Sequence, residues 1–259
     1  MLFHTDDAAM HGNDSSKKYE ILRLRREELP NDTIALARFL IGKVVVHELP
    51  AGRVSGRIVE TEAYPPGDPA GHHFRGPTPR IRSMYMAPGH AYVFFNYGAH
   101  FMLNVSGEPE GTAGGILIRA VEPLDGVELM QKHRECKEML GLTRGPGRLA
   151  AAFQINRAHD GVDLCGPGAL WLGEIVYPQG AKKANIGETV RIGITRAADH
   201  VLRFYEMGNP FVSGPKRLLS NPAAENMRKE NRPQPENHPH KQLQRPGHST
   251  PKLKSRPKD

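Results

Sequence analysis

The spacing of apolar residues changes along the chain between a helical period and a strand period. The run NDTIALARFLIGK has the helical period, with Asn31 or Asp32 as N-cap and Gly42 as the end of the helix. The next two runs, KVVVHEL and RVSGRIVETEA, are β-rich and are separated by Pro-Ala-Gly, which suits a short turn. The pattern therefore predicts a helix followed by a β-hairpin.

Later runs predict a sheet with inserted helices. The further strand candidates are HAYVFFNY, HFMLNVS, GILIRAV, LWL and VRIGI. Helices are expected in PLDGVELMQKHREC, opened by Pro123, and in GPGRLAAAFQI, where Pro146 suits the first turn. Because most neighbouring strands are joined by short turns, we expect an α+β fold: a single compact domain around a mixed, largely antiparallel β-sheet with peripheral helices.

Charge and composition divide the 259-residue chain into a domain and two tails. We expect residues 1–18 to be disordered, residues 19–215 to form the domain, and residues 216–259 to be a basic, proline-rich, disordered tail. The tail holds eleven Lys and Arg against four Asp and Glu, which equals the whole net charge of +7. Either it adds salt-dependent affinity for phosphate backbones or it is a solubilising tail.

The two cysteines and the apolar runs indicate the setting of the protein. Cys136 and Cys165 have no CxxC or CxxH spacing, so neither a zinc site nor a disulfide framework is predicted. The first 18 residues lack the apolar centre of a signal peptide, and no apolar run of about 18 residues occurs. We expect a soluble protein in a reducing, intracellular setting.

Two glutamates interrupt the apolar strand GRIVETEAY. Strict alternation would place Ile58, Glu60 and Glu62 on one face, with Glu62 at the strand's end. A buried, unpaired carboxylate is costly to remove from water, so a strand that only fills a core has no use for either. We interpret the pair as part of a hydrolytic site in which Glu62 activates water.

Polar residues also interrupt two later strands, and an aromatic cluster precedes both of them. Asn104 and Arg119 stand within strand-like runs as Glu62 does, so we expect three strands to contribute to one pocket. In HAYVFFNYGAHFMLNV, Tyr97 precedes Gly98, the natural position of a tight turn. A large ring at such a tip gains little from burial but would wedge into a base stack.

The residues alone leave two other classes of protein open. A metal-dependent hydrolase would take its ligands from Glu60, Glu62, Asp68, His72 and His73. The chain has neither an HExxH motif nor a zinc-deaminase signature. A non-catalytic nucleic-acid-binding module would use the basic tail and the aromatics, but it gives the glutamates no purpose.

Several runs in order resemble the alkyladenine (3-methyladenine or methylpurine) DNA glycosylases over about residues 29–213. These runs are GRIVETEAY, DPAGHHFRGPTPR, MYMAPGHAYVFFNYGAHFMLNV and ILIRAVEP, followed by GPGRL, VRIGI and LRFY. The resemblance implies a base-excision-repair enzyme that flips alkylated or deaminated purines out of double-stranded DNA and hydrolyses the N-glycosidic bond. Its substrates would be of the 3-methyladenine, 7-methylguanine, hypoxanthine and ethenoadenine class, and its product an abasic site.

The resemblance also implies how such an enzyme is organised. It would be a monofunctional glycosylase without lyase activity, needing no cofactor and no metal. Consistently, no lysine occurs between Lys43 and Lys132, so this segment supplies no Schiff-base lysine. The enzyme would be a monomer with no membrane partner, cytoplasmic and nucleoid-associated in a bacterium or nuclear in a eukaryote.

The resemblance assigns three residues to the chemistry. Glu62 would be the general base that deprotonates the water attacking the sugar C1′. Arg119 and the backbone carbonyl of Ile192 would hold that water.

Five further residues would contact DNA according to the same resemblance. The flipped base would stack between Tyr64 on one side and Phe94 with His72 on the other. Asn104 would oppose the exocyclic amino group of normal guanine, and Tyr97 would fill the gap left in the duplex.

Two positions depart from the family pattern. Phe94 stands where vertebrate members have tyrosine, so the ring can stack but its hydroxyl hydrogen bond is lost. The sequence has two adjacent histidines, His72 and His73. We choose His72 because DPAGHHFRG then aligns with the family's Asp-Pro-Ala-Ser-His pattern.

Overall fold

A nine-stranded sheet forms the centre of the computed structural model, which describes residues 19–96, 98–176 and 184–219. The strands are β1 Glu20–Arg23, β2 Val44–Leu49, β3 Gly52–Tyr64, β4 Ala91–Asn96, β5 His100–Ser106, β6 Gly115–Asp125, β7 Leu170–Val176, β8 Ile186–Thr189 and β9 Arg203–Glu206. The order is β1-β7-β2-β3-β6-β5-β4, while β9 pairs with both β3 and β8. Every pairing among these described strands is antiparallel, and the predicted α+β class is confirmed.

Four α-helices within the described residues lie outside the sheet. They are α1 Thr33–Phe39, α2 Val127–Arg134, α3 Met139–Thr143 and α4 Pro146–Ala152. Asp32 is the N-cap of α1, because its carboxylate accepts a hydrogen bond from the Ala35 N–H at 2.7 Å. Pro146 opens α4 as predicted. All four of these helices contribute buried side chains to the main hydrophobic core.

One predicted helix start and one predicted strand were wrong. Pro123 does not open a helix: it lies within β6, and α2 begins only after Gly126, whose φ of 71° breaks the strand direction. The run VRIGI is not a strand, since β8 ends at Thr189. Its backbone instead turns at Gly193, with φ 75°, and its polar groups bond side chains from β3 and the loop after it.

A β-bulge in β3 breaks the alternation expected for the glutamate strand. The register against β6 shifts between Ile58 and Thr61. Ile58 therefore packs in the main core together with Ala63, whereas Val59 belongs to a second cluster with Tyr205 and other residues. The expectation that Ile58 shares a face with both glutamates was wrong, because the extra residue reverses the alternation ahead of them.

Some predictions concern residues that the structure does not describe. These are the N-terminal segment 1–18, residues 220–259 of the predicted tail, and Tyr97. Before residue 220 the described chain ends in a short 3-10 helix, Lys216–Leu218. No helix within the described ranges is long and apolar enough to cross a lipid bilayer.

Candidate active site

A cavity of about 370 Å³ opens where β3, β5 and β6 lie side by side. Its lining residues are Glu62, Tyr64, Ala70, His72, Met84, Tyr92, Phe94, Asn96, Met102, Asn104, Gly115, Leu117, Arg119, Pro146, Ile192, Gly193 and Ile194. Glu62 and Asn104 both pair with Leu117, from opposite sides of β6, and Arg119 lies two residues further along that strand. The register therefore brings together the three polar groups for which the sequence predicts a shared pocket.

Glu62 is fully buried in the wall of this cavity, and three donors hold its carboxylate. Oε1 accepts the Ile192 N–H at 2.7 Å and lies 3.1 Å from an Arg119 terminal nitrogen, while Oε2 accepts the Tyr64 hydroxyl at 2.9 Å. Burial, followed by the neighbouring Glu62, raises the pKa of Tyr64 well above its ordinary value. Tyr64 therefore remains a phenol that donates to the carboxylate.

Ile192 reaches Glu62 through a backbone group different from the one considered in the sequence. Its N–H donates to Glu62, which requires the chain after β8 to leave the sheet. Ile192 lines the cavity beside Gly193. The role of the Ile192 carbonyl in holding water stays a prediction.

Arg119 bridges the two glutamates of β3. Its Nε donates to Glu60 Oε1 at 2.9 Å, and a terminal nitrogen lies 3.1 Å from Glu62 Oε1. Burial acts to lower the pKa of Arg119, but Glu62 and Glu60 outweigh it, and the net shift is upward. The guanidinium is thus held as a cation at the end of the cavity.

A second buried ion pair supports the same corner. Arg191 donates to both carboxylate oxygens of Asp68, to one of them at 3.1 Å, and to the Ala63 carbonyl at 2.9 Å. Its guanidinium lies 4.7 Å from the centre of the Tyr64 ring. Sequence analysis considered Asp68 only as a metal ligand and did not single out Arg191, although a charge within the apolar run VRIGI was a usable signal.

Aromatic and imidazole rings form the opposite part of the lining. His72 meets Phe94 edge to face at 4.5 Å, and Tyr92 stacks on Phe94 at 5.4 Å. The His72 Nδ1 and the Tyr92 hydroxyl are hydrogen-bonded at 2.9 Å. Burial raises the pKa of Tyr92 to about 12 and lowers the pKa of His72, so both are neutral near pH 7.

The two adjacent histidines differ in environment. His72 lines the cavity, whereas the His73 Nε2 is hydrogen-bonded to the Pro65 carbonyl at 2.9 Å and His73 is not part of the lining. Asn104 is buried in the lining, and its amide donates to the Tyr92 carbonyl at 3.1 Å, which fixes the amide orientation. The geometry is therefore compatible with His72 and Asn104 contacting a molecule in the cavity.

The residues suggested for a metal site do not form one. Across the described ranges, no three His, Cys, Asp or Glu side chains are grouped so that they could hold a metal ion. Glu60 and Asp68 are instead paired with arginines. The arrangement is that of a hydrogen-bonded carboxylate facing a partly aromatic cavity.

Comparison with known proteins shows which family the chain resembles. The family model described as "Methylpurine-DNA glycosylase (MPG)" matches residues 27–210. A protein of Mesorhizobium japonicum is 57% identical over 195 residues, covering 75% of this chain and 92% of that protein. One from Paraburkholderia phytofirmans is 52% identical over 202 residues (78% and 93%), and one from Chlorobaculum tepidum is 43% identical over 185 residues (70% and 86%). Each of these three relatives carries the name "Putative 3-methyladenine DNA glycosylase".

Proposed function

Because the chain belongs to the methylpurine-DNA glycosylase family, we propose that it excises damaged purines from duplex DNA with a water activated by Glu62. Family membership supports the general activity, an N-glycosylase for alkylated bases in DNA. The range of purines and the roles of individual residues rest on the geometry of the cavity. The product is an abasic site, and no cofactor takes part.

The observation that carries the mechanism is the environment of the Glu62 carboxylate. A carboxylate offers about four lone-pair directions. The Ile192 N–H, Arg119 and the Tyr64 hydroxyl occupy three of them, so about one remains for a water on the cavity side. Glu62 accepts a proton from that water as its oxygen attacks C1′ of the sugar, and the bond to the base breaks. Arg119 and the Ile192 carbonyl help to hold the water.

Base recognition uses the rings of the cavity. A purine must leave the stack before its glycosidic bond can be reached, and extrusion costs least for damaged or mismatched pairs. Tyr64 stacks on one face of the flipped base, with Phe94 and His72 at the other. For a cationic alkylated purine the aromatic faces add about 0.5–2 kcal/mol over a neutral base of the same shape.

Two further contacts complete the proposed complex. Asn104, whose amide orientation is fixed by the Tyr92 carbonyl, opposes the amino group of normal guanine and so disfavours it. Tyr97 enters the duplex at the position vacated by the flipped base. The cavity lining within the described residues contains no lysine, which supports hydrolysis without a Schiff base and therefore without strand cleavage.

Excision from duplex oligonucleotides tests the proposal directly. Duplexes carrying one hypoxanthine or one 7-methylguanine are incubated with wild type or Glu62→Gln in EDTA, and strands are analysed with and without hot alkali. We expect breaks only after alkali, and a single-turnover rate roughly 10²- to 10⁴-fold lower in Glu62→Gln while binding is retained.

Glu108 supplies a matched control for this substitution. It is a buried glutamate whose Oε1 accepts from the N–H and hydroxyl of Thr33, and it lies outside the cavity lining. Glu108→Gln should keep the wild-type excision rate. An undiminished excision rate in Glu62→Gln contradicts the assignment of Glu62 as the general base. Wild-type binding without excision would favour a non-catalytic module, and breaks before alkali would show a lyase activity.

A further inference from the structure

Glu60 is fully buried, and its carboxylate has three donors from distant parts of the chain. Oε1 accepts Arg203 Nε at 2.6 Å and Arg119 Nε at 2.9 Å, and Oε2 accepts the Ser213 N–H at 2.7 Å. Glu60 is not part of the cavity lining, so it stands behind the site. Since an ion pair in the interior is weak evidence for stability, this cluster calls for a role beyond holding the fold.

The segment at Ser213 connects this cluster to Arg119 and to Ile192, the two groups outside β3 that bind Glu62. An Arg203 terminal nitrogen donates to the Ser213 carbonyl at 2.7 Å, and an Arg119 terminal nitrogen donates to the Ser213 hydroxyl at 3.3 Å. The next residue, Gly214, has φ +85°, and a Cβ built on it would lie 2.4 Å from the Ile192 Cδ1. One short segment thus contacts Arg119 by one hydrogen bond and Ile192 by close packing.

We propose that Glu60, held by Arg203, is a positioning residue that aims Arg119 and the Ile192 N–H at Glu62 during base excision. This role rests on the proposed function. In the proposed reaction Glu60 itself contacts neither DNA nor the attacking water. Arg119 uses Nε for Glu60 and a terminal nitrogen for Glu62, so the first contact sets the rotation of the guanidinium plane. Without that contact the plane is free to turn away from the water, and a misplacement of about 1 Å can cost roughly 10²-fold in rate.

Removal of the Glu60 charge also changes the charge balance around Glu62, the proposed general base. The groups facing Glu62 are Arg119 from β6, Tyr64 from β3 and the Ile192 N–H from the loop after β8. In wild type, Arg119 is balanced by both glutamates. In Glu60→Gln the guanidinium is less balanced and less firmly oriented, so the chemical step should slow while the affinity for the lesion duplex stays near that of wild type. A purely structural role for Glu60 would lower the free energy of unfolding and would not single out the chemical step.

Single-turnover excision and equilibrium binding of duplexes carrying one hypoxanthine or one 7-methylguanine test the role. The proteins are wild type, Glu60→Gln, the double variant Glu60→Gln/Arg203→Met, and Glu108→Gln as the buried-glutamate control, each checked for cooperative unfolding. We expect Glu60→Gln to be about 10- to 100-fold slower, with an unchanged dissociation constant for the lesion duplex. The double variant removes one charge of each sign but still lacks the carboxylate contact to Arg119 Nε, so its rate should stay low, while Glu108→Gln should match wild type.

Each result decides the matter. A folded Glu60→Gln with a wild-type rate, or a loss of rate equalled by Glu108→Gln, overturns the positioning role and leaves the proposed function intact. A wild type that excises neither lesion overturns the proposed function and this role with it. If Glu60→Gln does not fold, Glu60→Asp replaces it, because the shorter side chain keeps the negative charge but draws it back from Arg119 Nε. A several-fold slower rate with unchanged duplex binding then supports the role, and a wild-type rate refutes it.

Discussion

The buried pair between Asp68 and Arg191 provides a quantitative test of how the site corner is held. Both side chains are almost fully buried, at 1% and 0% exposure. Asp68→Asn keeps the size of the side chain but leaves the Arg191 charge in the interior without a counter-charge. Removing one partner of such a pair typically costs 3–5 kcal/mol, because an uncompensated charge remains buried. For a domain of this size, about 2–4 °C in Tm per kcal/mol gives a loss of roughly 6–20 °C.

Thermal and urea unfolding measure this loss, and the chain offers an exposed control. The side chains of Arg38 and Glu188 form a pair at 44% and 35% exposure, so Glu188→Gln should cost less than about 1 kcal/mol. The double variant Asp68→Asn/Arg191→Met should be more stable than Asp68→Asn alone, since no charge then stays buried. Glu188→Gln is expected to have a free energy of unfolding within about 1 kcal/mol of wild type. If Asp68→Asn also lies within about 1 kcal/mol of wild type, the reasoning from burial is refuted.

Two other predictions concern the cavity. The pKa of His72 is lowered by burial below the ordinary value of 6.5, so the unfolded chain takes up this proton first. The stability that the neutral His72 contributes is complete above about pH 6.5 and is lost as the pH falls toward the pKa of His72 in the folded state. The free energy of unfolding of wild type should therefore fall relative to that of His72→Gln between pH 7 and pH 5. Parallel pH curves in urea unfolding would contradict this. Asn104→Ala removes the side chain that opposes the guanine amino group, so release of undamaged guanine should rise relative to hypoxanthine in single-turnover assays. An unchanged ratio would remove Asn104 from discrimination.

The local sequence pattern correctly predicted those elements whose hydrogen-bond partners lie close by in the sequence. Helix α1 was predicted correctly, because Asp32 caps it from within the same turn. The hairpin β2–β3 was also predicted correctly, since its turn residues and flanking strands are contiguous. The run VRIGI was mistaken for a strand because its backbone partners, Glu62 and neighbouring groups, lie more than 100 residues away. The bulge in β3 likewise has no signature in the strand itself, since it follows from the register against β6.

The candidate site, like the fold, could be predicted from the sequence only in part. Glu62, Asn104 and Arg119 were recognised because polar residues in apolar strands are conspicuous, and the structure gathers them around one cavity. The partners of Glu60 were not foreseen, because Arg203 lies 143 residues further along the chain and nothing in its own run marks it as a counter-charge. Periodicity indicates that a group is buried, but the identity of its partner depends on tertiary contacts.

The charge balance of the Glu60 cluster connects the fold to the chemistry of the proposed substrate. Glu60 and Glu62 carry two negative charges, and Arg119 and Arg203 carry two positive ones, so the cluster as a whole is neutral. Two unit charges about 4 Å apart interact by about 4 kcal/mol at an effective dielectric constant of 20. An unbalanced guanidinium beside the cavity would therefore repel a cationic base and leave a neutral one largely unaffected.

It follows that Glu60→Gln should slow excision of 7-methylguanine, which is cationic, more than excision of hypoxanthine, which is neutral. The comparison is made within one variant, so a general loss of rate or stability cancels in the ratio of the two single-turnover rates. Glu60→Gln/Arg203→Met restores neutrality and should restore the ratio. Equal slowing on both bases would mean that Glu60 orients Arg119 but does not set the charge that the cavity presents to its substrate.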